Sequence, residues 1–142
     1  MGSVESKLAA DILNKYRSVA IVGASPDPER PSYRVVRYLM KHGYHVMPVN
    51  PNVQDILGKT SYPDLKSIPE KVEVVDIFRR SEDVMPIVDA AIEIGAKVVW
   101  MQEGVINGEA AAKARDAGLL VVMDRCMRKE HLRFARSKRE KG

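Results

Sequence analysis

Five short apolar runs rich in β-branched residues lie within Ser18–Val22, Tyr44–Asn50, Val72–Phe78, Lys97–Gln102 and Leu119–Met123, and stretches with helical periodicity separate them. Strands apolar on both faces need cover on both sides. A parallel strand can follow its predecessor only through a crossover of a dozen or more residues. Alternation of this kind predicts a parallel sheet between two helical layers, wound by right-handed crossovers. Leu8, Ile12 and Leu13 mark an opening helix over about 6–16 with Ser6 as its N-cap; Val35, Val36, Leu39 and Met40 stripe a second, opened by Pro31 with Ser32 and stopped by Gly43. Val84, Ile87, Val88, Ala91 and Ile92 stripe a third over Ser81–Gly95, and Asn107 caps a fourth that Gly118 ends. A basic helix over about 127–140 closes the chain. Between Asn50 and Pro69 a polar, proline-containing connection leaves room only for a short extended piece near Thr60–Tyr62. The expectation is one α/β domain over 1–142, a three-layer Rossmann-like doubly wound parallel sheet of order 3-2-1-4-5-6 with a very short third strand.

A chain of 142 residues that is 45% hydrophobic can build one ordinary core. No apolar run is long enough to span a bilayer, and the start MGSVESKLAA lacks the pattern of a secretory signal. A cytoplasmic protein with no membrane partner is expected. A single cysteine, Cys126, excludes an internal disulfide framework and any multi-cysteine metal site. The net charge of +4 is uneven. Residues 125–142 hold 8 Lys/Arg against 2 Glu, net +6, which leaves 15 − 17 = −2 for residues 1–124. The tail lacks a nucleic-acid reading motif and offers only Phe134 for stacking, so it reads as a solubilising helix and no nucleic-acid partner is expected.

In a doubly wound sheet ligands bind beyond the carboxyl ends of the strands, where the strand order reverses. That rule selects the loops at Gly23–Tyr33, Asn50–Val53, Phe78–Glu82, Gln102–Val105 and Asp124–Met127. Arg30, Arg34, Arg79, Arg80 and Arg125 fall in or beside them, and a helix begins at Pro31 with free N–H groups, so an anionic ligand with phosphates is expected. The first loop, VGASPD, keeps one glycine where a dinucleotide fingerprint has three, with Ser25 and Asp27 in the other two places. The second strand ends in Val49, Asn50 and Pro51, without the acid that would hold a ribose diol. Both absences argue against NAD.

Read together, VAIVGAS, the following RPS, MPVNP, VVDIFR, VVWMQEGV and VVMDRC resemble the stand-alone coenzyme A-binding proteins, which are similar to the N-terminal coenzyme-binding domain of the succinyl-CoA synthetase alpha subunit. The resemblance runs from about Ser18 to Arg128. It implies that Gly23, Ala24 and Ser25 hold phosphates of coenzyme A with Arg30, Ser32 and Tyr33, and that Val49, Asn50 and Pro51 lie beside its nucleotide end. It implies that Phe78, Arg79 and Arg80 contact the adenine or the 3′-phosphate, and that Trp100, Met101 and Gln102 line the remaining nucleotide or pantetheine path. Coenzyme A or an acyl-CoA is then the cofactor and partner, and a homo-oligomer stays open.

No catalytic constellation is legible. His42 and His45 flank the Gly43 turn at the end of the sheet away from the crevice, and His131 lies in the basic tail as a helix-surface residue. The phosphorylated histidine of the synthetase resides in a second domain for which these 142 residues have no counterpart. Asp76, a lone charge in a buried-looking strand, reads as hydrogen-bonded structure rather than a base. Cys126, flanked by Arg125 and Arg128 at the carboxyl edge, is a possible redox thiol that could form a mixed disulfide with the coenzyme. The function expected is binding or carriage without chemistry. An NAD-type sensing module and a non-catalytic or regulatory subunit of a coenzyme A-using enzyme are the alternatives.

Overall fold

The computed structural model describes residues 3–141. Its sheet is built from β1 (Ser18–Val22), β2 (His45–Val49), β5 (Val74–Ile77), β6 (Val98–Met101) and β7 (Leu120–Val122), all parallel, in the order β2-β1-β5-β6-β7. This is the doubly wound arrangement, with the reversal between β1 and β5. The third strand of the expected order shrinks to one parallel bridge between Tyr62 and Val49, on the outer edge of β2. Pro48 supplies the reason: its carbonyl accepts from Tyr62 N at 3.0 Å, but it has no N–H with which to extend the ladder further down that edge. An unexpected antiparallel pair, β3 (Asp55–Ile56) and β4 (Lys59–Thr60), precedes it, turning at Leu57 (φ 52°) and Gly58 (φ 78°).

Helices α1 (Val4–Lys15), α2 (Pro31–Lys41) and α5 (Met127–Lys141) cover one side of the sheet, and α3 (Val84–Glu93) and α4 (Gly108–Asp116) cover the other. Ser3, not Ser6, caps α1: its Oγ accepts from Ser6 N at 3.1 Å, which moves the helix start ahead of the expected position. Asn107 caps α4 in the same way through Ala110 N at 3.0 Å. A short 3-10 turn at Ser81–Asp83 stands where the third helix was expected to begin.

Successive strand residues alternate between the two layers. Val19, Ile21, Val74, Val98 and Trp100 face α1, α2 and α5, while Ala20, Val22, Val75, Ile77, Val99 and Met101 face α3 and α4. Asp76 occupies one of the inward positions of the first set, in register with Ile21 on one side and Trp100 on the other. It is fully buried, and neither carboxylate oxygen has a hydrogen-bond partner, which corrects the expectation of a hydrogen-bonded carboxyl. Burial drives its pKa well above the usual carboxylate value, and the neighbouring Ile77 amide opposes this without making a hydrogen bond. No helix among the described residues is long and apolar enough to cross a membrane.

Candidate functional site: a crevice at the carboxyl edge

The ends of β1, β2 and β5 are stitched together. Gly23 N donates to Val49 O at 3.1 Å, and Phe78 N donates to Val22 O at 2.8 Å. Gly23 has φ +87°, and a Cβ there would stand 2.2 Å from the Phe78 carbonyl oxygen. The single glycine of the first loop is therefore demanded by the chain's own crossing, whatever it does for a ligand. Asn50 ties down the same loop: its Nδ2 donates to Ala24 O at 2.8 Å, while its Oδ1 accepts from Asn52 N at 2.8 Å. With both ends of the amide engaged, Asn50 is a brace of the crevice floor.

Above these junctions lies an open crevice of about 790 Å³. Of the residues expected in the site, Gly23, Ala24, Ser25, Arg30, Ser32, Asn50, Phe78, Arg79, Arg80 and Gln102 line it, and Asn52, Asp83, Glu103 and Val105 join them. Asn52, Glu103 and Val105 lie in loops that the strand-end rule selects, and Glu103 and Val105 also fall within the motif VVWMQEGV, whereas Asn52 lies one residue beyond MPVNP. Two features make the crevice electropositive. No side chain caps α2 and its first turn holds no acid, so the positive end of its dipole stays open toward Ser32 and the loop. Three arginines also line the crevice, Arg30 ahead of α2 and Arg79 and Arg80 after β5. Arg30 is 4.0 Å from Asp27 and Arg80 is 3.1 Å from Asp83, both as exposed pairs of little energetic weight, and Arg79 pairs with nothing among the described residues. The two acids of the lining are each paired with a cation, Asp83 with Arg80 and Glu103 with Lys129 at 2.9 Å.

Five expected residues stand away from this crevice: Tyr33, Val49, Pro51, Trp100 and Met101 are not among its lining. Trp100 and Met101 have no exposed surface at all, one packed in each core layer. The indole Nε1 of Trp100 donates to Arg125 O at 2.8 Å, so the ring braces the chain after β7 from beneath. Gln102 reaches the crevice and also accepts from Met127 N at 3.0 Å, fastening the start of α5. Arg125 turns away from the crevice. Its guanidinium donates to Ser6 Oγ at 3.1 Å, Ser3 Oγ at 3.2 Å and Glu130 Oε1 at 3.4 Å, clasping α1 to α5. Cys126 is half-buried and lines a separate depression of about 350 Å³ that shares Glu103 with the crevice.

The histidines lie elsewhere in the fold. His131 corrects the expectation of a surface residue: it is buried where α5 meets α2, with Nδ1 2.7 Å from Tyr38 Oη. Its ring stands edge-on to Tyr44 and Phe134, and burial, helped by His42 and Arg17, lowers its pKa. His45 meets Glu70 at 3.0 Å on the exposed end of β2. Among the described residues no group of three or more His, Cys, Asp or Glu could hold a metal ion.

Comparison with known proteins bears on the family and the fold. Residues 17–132 match the family model described as a CoA binding domain. A solved structure from Pyrococcus horikoshii OT3 superposes with a TM-score of 0.90 at 44% identity, over 95% of this chain and 97% of that one. The Bacillus subtilis protein YneT is 35% identical over 121 residues, 85% of this chain and 90% of its own length. The ADP-forming acetate–CoA ligase II of Archaeoglobus fulgidus is 31% identical over 83 residues, which are 57% of this chain but only 12% of the ligase. With the family model spanning β1 to the first turns of α5, the chain belongs to the CoA-binding domain family.

Proposed function

We propose that the crevice binds coenzyme A, free or as an acyl thioester, and that the protein serves as a binding or carrier module. The observation that carries this reading is the convergence of Gly23–Ser25, the open end of α2, and Arg30, Arg79 and Arg80 on a single crevice, in a chain of this family. Phosphates belong there. Phe78, half-buried and on the crevice wall, offers a ring face for the adenine, and the unpaired Arg79 suits the 3′-phosphate. NAD fits poorly, because β2 ends in an Asn50 whose amide is already committed at both ends. In the ligase relative the matching segment is a small part of a longer chain, so service as a subunit of a coenzyme A-using assembly is compatible with the same site.

Calorimetric titration with coenzyme A, dephospho-coenzyme A and NAD tests the proposal. Coenzyme A should bind most tightly. Loss of the 3′-phosphate, or Arg79→Ala, should each weaken it by about 1.5–3 kcal/mol, the scale of a hydrogen bond to a charged group, and the two losses should not add. NAD binding as tight as coenzyme A would sink the proposal. Additive losses would remove only the placement of Arg79.

A further inference from the structure

The outer faces of α2 and α5 carry cations that have no ion-pair partner among the described residues. α2 exposes Arg34, Arg37 and Lys41 at spacings of three and four residues, and residues 31–41 contain no acid. On α5, Lys129 pairs with Glu103, and Arg133 pairs with the buried Glu130, while Arg128, Arg136 and Arg139 pair with nothing among the described residues. The two helices lie side by side, joined by the contact between Tyr38 Oη and His131 Nδ1. Arg128 and Arg139 both stand near Tyr38, where their charges oppose the burial that raises the phenol's pKa. In the same strip Tyr38 and His42 are stacked, with ring centroids 4.0 Å apart and planes at 23°, and His42 is exposed.

The chemistry of the strip narrows its partner. At ~1.5 Å per residue the cations extend about 10 Å along α2 and about 16 Å along α5, a surface built for a chain of charges rather than one ion. Among the described residues seven cations of these two helices have no ion pair, Lys138 among them, and five of the seven are arginine, whose planar fork matches phosphate oxygens. A membrane surface would need apolar side chains to insert, and Leu132 is the one exposed large hydrophobe on these helices. An acidic polypeptide would leave the stacked rings without a role. Electropositive tracks beside exposed rings are what single-stranded nucleic acid uses. We infer that the α2–α5 face binds single-stranded nucleic acid through its phosphate backbone, without reading sequence. This inference does not depend on coenzyme binding in the crevice. Neither helix alone carries it: the basic tail reads as a solubilising helix until α2 is set beside it.

Fluorescence anisotropy of labelled 20-mers of oligo(U) and oligo(dT) with the full chain tests it. Binding at low salt is expected, with log K falling against log salt at a slope of about −3 to −4, the value for about five phosphate contacts on a single strand. The triple variant Arg37→Gln, Lys41→Gln, Arg139→Gln should weaken binding at least tenfold and flatten the slope by about 2, with thermal unfolding and coenzyme A titration unchanged. His42→Ala should weaken binding without changing the slope. Failure to bind at 50 mM salt, or undiminished binding by the triple variant, would overturn the inference. So would displacement by polyglutamate or by phosphatidylserine vesicles at equal charge, which would assign the face to an acidic protein or a membrane. Displacement by stoichiometric coenzyme A would place the oligonucleotide in the crevice and overturn it as well.

Discussion

The two layers that flank the sheet are held by different forces. On the α3–α4 side every buried member of the core is aliphatic or methionine, from Val22 and Met47 to Ile77, Met101 and the alanines of α4. On the α1–α2–α5 side the core also encloses Asp76, Glu130 and His131, with Trp100 and Tyr44 bonded to backbone carbonyls. The first layer depends on area removed from water, which is nearly indifferent to pH. The second depends on charges and hydrogen bonds that fix α1 and α5 at one angle: Arg125 to Ser3, Ser6 and Glu130, Tyr44 Oη to Leu13 O at 2.7 Å, Tyr38 to His131. The crevice draws on both layers, and the open N-terminus of α2 in its lining belongs to the second.

The comparison breaks most visibly in the aliphatic layer. Ile77→Ala should cost about 2–5 kcal/mol in urea unfolding, since Ile77 is fully buried and packed, and the loss should be the same at pH 5.5 and pH 8. A loss that varies with pH would deny the layer its indifference. The opposite layer should respond in the opposite direction at Asp76. A group whose folded pKa is raised contributes fully below its unfolded pKa, about 3.9, and that contribution is lost as pH rises through the folded value. Asp76→Val removes a buried carboxyl with no partner and should stabilise the fold by about 1–3 kcal/mol at pH 8, with the advantage shrinking toward pH 4. An advantage constant across that range would show that the fold does not raise the carboxyl's pKa.

Legibility follows the same division. The strands and their order were written in local pattern, because apolar runs between capped helices leave a parallel sheet few alternatives, and Asn107 and Pro31 sit where a cap and a first-turn proline should. The crevice loops follow from topology alone. What the sequence hides is long-range. Nothing near Arg125 announces that its partners are Ser3 and Ser6, more than a hundred residues away. A strand apolar on both faces does not say that Trp100 and Met101 point into cores rather than toward the ligand. The β3–β4 turn escaped because it sets a leucine at positive φ before its glycine, where Asn or Asp would have signalled it. His131 is buried by its neighbours on α2 and at Tyr44, not by any pattern in its own helix.

That histidine allows the finest test of the comparison. Its pKa is lowered by burial first, then by His42 and Arg17, and the other charges near the pocket, Arg128 and Arg139 beside Tyr38, are positive too. A neutral imidazole can accept the Tyr38 hydroxyl at Nδ1, whereas a protonated one cannot, and no carboxylate in the ring cluster would repay its charge. The sign is that of a depressed group: its stabilisation is complete above the unfolded value of about 6.5 and is lost as pH falls through the folded one. His131 should therefore take stability from wild type between pH 8 and pH 5, opposite in sign to Asp76, and only the difference between wild type and a His131 variant isolates it. His131→Phe keeps a ring against Tyr44 and Phe134, whose centroids lie 5.6 and 5.9 Å away, and gives up one hydrogen bond. At pH 8 the variant should be less stable by about 0.5–1.5 kcal/mol, the net value of such a bond, with the lower end expected because Tyr38 is half-exposed and water can replace the partner. At pH 5 the order should close or invert, because the variant has no proton to accept. Paired thermal melts at the two pH values decide it: a variant whose acid sensitivity matches that of wild type would move the pH response of this layer away from His131.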